Sequence, residues 1–113
     1  MLKNGRYAVW FKTPRGEGTG MITLTDGRMS GRDSVLTYSG SYQVNGDDFT
    51  AAITTRRHAE GQPSLFGIDD LDLTLAGTSM EKTANCTGTA RQAPDLSFQA
   101  TLIKIEEKDD PVA

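Results

Sequence analysis

The sequence predicts an all-β fold: an eight-stranded antiparallel up-and-down barrel with one capping loop. Three observations carry this. Apolar and polar residues alternate with period two along successive short segments. Two dipeptides that accept positive φ, Asp26-Gly27 and Asn45-Gly46, sit between such segments as hairpin turns. Glycine is abundant, at 12 residues, aromatics are few, and no long stretch has helical period. Strands joined in order by tight turns form a meander. An eight-stranded meander can close on itself, which removes the exposed edges that template aggregation.

The first strand covers residues 5–12. Tyr7, Val9 and Phe11 face the core, and Arg6, Ala8, Trp10 and Lys12 face outward. Pro14 and Gly16 set a turn. Residues 17–25 follow, with Gly18, Gly20, Ile22 and Leu24 inward and Thr19, Met21, Thr23 and Thr25 outward. After Asp26-Gly27, only a short strand fits before a bend or bulge at residues 31–33. Residues 35–44 place Leu36, Tyr38, Gly40, Tyr42 and Val44 on one face. After Asn45-Gly46, Phe49, Ala51 and Ile53 alternate with Thr50, Ala52 and Thr54. That strand ends in Arg56-Arg57-His58.

Residues 59–70 break the alternation. Gly61, Pro63 and Gly67 make a loop, with one helical turn starting at Pro63. Its apolar Leu65, Phe66 and Ile68 fold it over one end of the domain. Leu71, Leu73 and Leu75 then mark a half-buried strand, with a turn at residues 78–81. Residues 82–91 carry Ala84, Cys86, Gly88 and Ala90 on one face, and residues 93–95 turn. The last strand, residues 96–105, has Phe98, Ala100 and Leu102 inward and Ile103 and Ile105 outward. The domain is residues 1–106, followed by a frayed, charged tail at 107–113.

The chain has 113 residues, enough for one domain with one modest core. A net charge of −3 and a pI near 5.0 argue against a general nucleic-acid or anionic-membrane surface. The single cysteine, Cys86, does not suggest a disulfide-stapled scaffold; it alternates with Ala84 and Gly88 as a small buried hydrophobe. No apolar leader or membrane-length run is present. The expectation is a soluble, cytoplasmic protein.

Nothing here assembles a catalytic or metal site, so the expectation is a protein that is not an enzyme and uses no cofactor. Gly16-Glu17-Gly18-Thr19-Gly20 lacks the strand–loop–helix context of a phosphate cradle. The one histidine, His58, has no fixed carboxylate to orient it as a base. One His and one Cys far apart make no zinc pattern. Arg56-Arg57-His58 reads as a solvated strand end.

Three sets of residues remain as candidate sites. Trp10, Met21, Ile103 and Ile105 fall on the outer faces of the first, second and last strands. In a closed barrel the first and last strands pair, so these residues either form one contiguous patch for self-association or scatter as ordinary surface hydrophobes. Tyr7, Val9, Ile22, Tyr38, Ile53, Leu73 and Phe98 line the interior. Small interior residues beside them, such as Gly20, Gly40 and Gly88, either leave room for a small apolar ligand or let strands bend over a filled core. Asp47 and Asp48 sit at a hairpin tip, where turn chemistry explains them and where they could also meet a basic partner.

The residues Lys3-Asn4-Gly5-Arg6-Tyr7, Gly16-Glu17-Gly18, Asp26-Gly27-Arg28-Met29 with Gly31 and Asp33, and Tyr38-Ser39-Gly40 together resemble the GrlR family. These are negative regulators of a type III secretion locus in enteropathogens. The likeness covers roughly the first sixty residues, and its motifs are glycine turns and a Tyr-Ser-Gly step. It implies a lipocalin-like barrel, a homodimer, no direct DNA binding, and repression through a transcriptional activator. The family's activator contact involves a Glu-Asp-Glu-Asp run on a hairpin. The corresponding segment here, Asn45-Gly46-Asp47-Asp48, keeps only two acids and replaces part of the run with a tight turn.

Overall fold

A computed structural model describes residues 1–33, 36–57 and 71–105. The expected capping loop, His58 and the expected tail at 107–113 lie outside the described residues. The strands are β1 (Gly5–Thr13), β2 (Gly16–Thr25), β3 (Arg28–Arg32), β4 (Leu36–Asn45), β5 (Asp48–Arg57), β6 (Leu71–Ser79), β7 (Thr83–Ala90) and β8 (Ala93–Lys104). Each pairs antiparallel with the next, and β8 pairs back onto β1 to close the barrel. The closure runs from Tyr7 opposite Lys104 to Lys12 opposite Gln99. The expected eight-stranded up-and-down barrel is therefore the fold.

Turn chemistry sets the register. Asp26 and Gly27 both have positive φ, at 49° and 88°, as a type I′ hairpin requires. The second hairpin differs from expectation by one residue. Asn45 pairs with Asp48, so the loop is Gly46-Asp47, with positive φ at Gly46 alone. That is the Gly-first pattern of a type II′ turn. The expected turn at residues 78–81 also moves: β6 continues through Ser79, whose N–H donates to the Asp47 carbonyl at 2.7 Å, and Met80 to Lys82 make the connection. The expected turn at residues 93–95 falls instead at Arg91-Gln92, since Ala93 already pairs with Ala90. The irregularity expected at residues 31–33 is absent from β3, which pairs without a break through Arg32. Its place is between Gly88 and Ala90 in β7.

Inward residues of every strand form one core. Tyr7, Ile22, Leu24, Ile53, Leu71 and Leu102 are among its buried members. Burying each such side chain favours folding by about 1.5–3 kcal/mol. Four inward glycines, Gly31, Gly40, Gly77 and Gly88, lie against the backbone of an adjacent strand, so a Cβ at any of them would collide with a neighbouring carbonyl. The small interior residues thus let the strands curl tightly over the core.

The two barrel ends are built differently. At the end carrying the Asp26-Gly27 and Gly46-Asp47 turns, residues 1–4 cross the opening. Leu2 is buried, with 6% of its surface exposed. Asn4 holds the crossing segment in place: its Nδ2 donates to Asp26 Oδ1 at 3.0 Å, and its Oδ1 accepts from the Asp26 N–H at 2.9 Å. At the opposite end, Asp33 joins β3 to β4. Its N–H donates to the Leu36 carbonyl, and its Oδ1 accepts from the Leu36 N–H.

Candidate functional site

The outer apolar residues come together at the closure seam. Met21, Ala8 and Ile103 lie opposite one another on β2, β1 and β8. At one strand spacing each, that row spans about 10 Å. Trp10 is two residues further along β1, a diagonal neighbour of both Met21 and Ile103. Ile105 follows Ile103 on the same face, and its N–H donates to the Arg6 carbonyl at 2.9 Å. Trp10 is 48% exposed and Ile103 is 51% exposed, while Ile105 is half-buried. Trp10 Nε1–H donates to Glu17 Oε1 at 3.0 Å, which fixes the indole on the surface beside the seam. All four residues expected in this patch are therefore contiguous. Ala8, which sequence reading placed outward without assigning it to the patch, is the bridge between them.

The interior holds a cavity of about 100 Å³ with almost wholly apolar walls. Val9, Ile22, Tyr38, Ile53, Leu73 and Phe98 line it as expected. Tyr7 does not. It is buried in the core, but its hydroxyl points to the crossing segment and donates to the Lys3 carbonyl at 2.7 Å. Leu2 walls the cavity at that end, a residue whose position no strand pattern reveals. At the other end Phe11 stacks on Phe98 and meets Tyr38 edge-on. The Tyr38 hydroxyl donates to Asp33 Oδ2. Burial, together with that carboxylate, pushes the Tyr38 phenol well above its ordinary value, so it stays a neutral donor. Burial likewise pushes the Cys86 thiol up to about 11, so it is un-ionised and unreactive at neutral pH.

The acidic tip is exposed but engaged. The Met1 ammonium lies 2.7 Å from Asp47 Oδ1 and holds the Asp47 carboxyl below its usual range. The Asp47 carbonyl also accepts from Ser79 Oγ. Asp48 Oδ1 accepts from the Thr78 hydroxyl at 3.1 Å. The two acids therefore point to different neighbours rather than forming one pair. Among the described residues, no group of three or more His, Cys, Asp or Glu is placed to hold a metal ion. No helix among them is long and apolar enough to cross a membrane.

No protein-family model matches this chain, and neither does any curated protein.

Proposed function

We propose that this chain is a non-enzymatic interaction protein, acting as the regulators it resembles act: through its outer surfaces, as a homodimer that binds a protein partner such as a transcriptional activator. The contiguous seam patch of Trp10, Ala8, Met21, Ile103 and Ile105 carries the proposal. Soluble monomers rarely gather their exposed hydrophobes in one place, and a two-fold dimer buries the same patch on both copies. The patch lies on three neighbouring strands of the barrel wall, so the same face is offered by both copies. A stable dimer needs about 800 Å² from each copy, so the contact extends onto the polar rim of Thr19, Thr23 and Thr101.

The interior supports this choice over a lipid carrier. Ligand pockets for drug-sized molecules measure about 300–1,000 Å³. A space of about 100 Å³ is too small for an acyl chain. Asp47 and Asp48 are the proposed contact for the protein partner, in keeping with the acidic hairpin of the resembled family.

Size-exclusion chromatography with light scattering tests the dimer. The wild type elutes at twice the chain mass, and Ile103→Glu elutes at the chain mass with unchanged circular dichroism. A wild type of single-chain mass at every concentration contradicts the proposal. Binding to a partner through the tip is tested by Asp47→Lys/Asp48→Lys, which abolishes capture of that partner while leaving the dimer intact.

A further inference from the structure

A second surface lies on the far side of β2 from the seam. Arg28 and Arg32 point outward from β3, and Arg56 points outward from β5. Register brings them together. Arg32 lies opposite Thr37, and Thr37 lies opposite Arg56, so one row carries two arginines with a threonine between them. Arg28, opposite Ser41, stands four residues from Arg32 along the same face of the same strand. At normal strand spacings the Cα positions of the three arginines frame an area of about 13 by 10 Å. Inside it are Ser30 and Ser39, opposite one another, with Thr54 beyond them on β5. The framed area contains hydroxyls and the small Ala52 but no carboxylate, and Asp48 lies further along the outer face of β5.

Among the described residues, the carboxylates around this face are held by groups other than its arginines. Asp26, two residues before Arg28, is held by Asn4 across the barrel end. Asp33, next to Arg32, turns inward to Tyr38 and the Leu36 N–H. Asp72, opposite Thr54 on the next strand, accepts from the Thr54 hydroxyl at 3.4 Å at the edge of this face and from Arg91 Nη2 and Gln92 Nε2, each at 3.1 Å. Those bonds, Gln92 first, hold the Asp72 carboxyl below its usual range. Among the described residues, no carboxylate pairs with Arg28, Arg32 or Arg56. In a chain of net charge −3, three exposed arginines that no carboxylate among the described residues pairs with make a concentrated positive surface.

We propose that the β3–β4–β5 outer face docks a short acidic protein segment, its carboxylates taken by Arg28, Arg32 and Arg56 and its backbone by the serine and threonine hydroxyls. Arginine suits this task because its planar fork binds carboxylates in pairs of hydrogen bonds. The short reach of the face selects a peptide over a nucleic acid. Asp26, Asp48 and Asp72 border the basic area and repel a continuous polyanion that runs past it. Three phosphate contacts also release few counterions. This surface is separate from the seam, so it stands whether or not the chain dimerises.

The test uses fluorescence anisotropy with a short fluorescein-labelled peptide of alternating Glu and Ser, its Gln and Ser counterpart, and a single-stranded oligonucleotide. The wild type binds the Glu peptide at low salt and binds the Gln peptide at least about tenfold more weakly. Arg28→Ser/Arg32→Ser/Arg56→Ser loses the Glu peptide by about tenfold or more, with an unchanged melting curve and unchanged mass in solution. If the triple variant does not fold, the single charge reversals Arg32→Glu and Arg56→Glu make the same comparison. Absence of Glu-peptide binding by the wild type, or binding that survives loss of the arginines, overturns the proposal. Tighter binding of the oligonucleotide than of the Glu peptide through the same arginines also overturns it, because the partner would then be a nucleic acid.

Discussion

Replacing Gly40 with alanine should unfold most of this barrel's stability margin. Gly40 sits on the inner face of β4, opposite Ile53. A Cβ there would overlap the Ala52 carbonyl oxygen and lie 2.9 Å from Ile53 Cα and 3.0 Å from the Ala52 carbonyl carbon. Unbonded carbons need about 3.5 Å or more. Every atom it meets is backbone, so no rotamer change relieves the overlap. The β4–β5 ladder must open locally instead. Two or three weakened ladder bonds at about 1 kcal/mol each, added to an overpacking cost of about 1–3 kcal/mol, give a loss of about 3–6 kcal/mol. Gly46→Ala is the matched control. Its φ is +66°, but nothing lies within 4 Å of a Cβ at that position, so only the left-handed backbone is penalised. That costs about 1–2 kcal/mol. Urea titrations followed by far-ultraviolet circular dichroism measure both variants. A Gly40→Ala loss no larger than that of Gly46→Ala refutes the close strand approach on which the barrel's curvature rests.

Two further predictions concern the interior. Leu2→Ala removes the side chain that walls the cavity at the barrel end; a loss of about 2 kcal/mol is expected, the low end for a buried leucine because the crossing segment can resettle, and an unchanged urea midpoint contradicts its role. Cys86 governs part of the alkaline limit. Its folded thiol ionises near 11 and its unfolded thiol near the ordinary 9.0. Between those values the unfolded chain has released a proton that the folded chain keeps, so stability falls as pH rises. The contribution is fully present below about pH 9 and is lost by about pH 11, a change of about 2–3 kcal/mol. Cys86→Ala should show that much less loss over the same interval in urea titrations stepped through pH, and equal losses in the two proteins contradict the assignment.

The barrel was legible because its strands alternate cleanly and its chain order is its spatial order. Parity alone puts Trp10 on the outer face, and closure sets it beside Met21 and Ile103. Details that depend on contacts between distant turns were not legible. Ser79 extends β6 because it bonds to Asp47, far away in sequence. The hairpin at residues 45–48 shifted by one residue because an Asn-Gly pair does not say which of its two members opens the loop. Leu2 precedes the first alternation, so only the closed barrel end shows that it is buried. The arginine face has a partial signal, since Arg28 and Arg32 share parity, but Arg56 joins them only through the β3–β4–β5 register.

Trp10 gives the most direct test of the proposed pairing surface. It is the chain's one tryptophan, it lies in the middle of the patch, and about half of it is exposed in the single chain. Burial against a second copy excludes water from the indole, so its emission should move to shorter wavelength as concentration rises through the dimerisation range, and Ile103→Glu should remove that movement. Emission that stays constant over the whole range, with a wild type that remains a single chain in solution, contradicts the account.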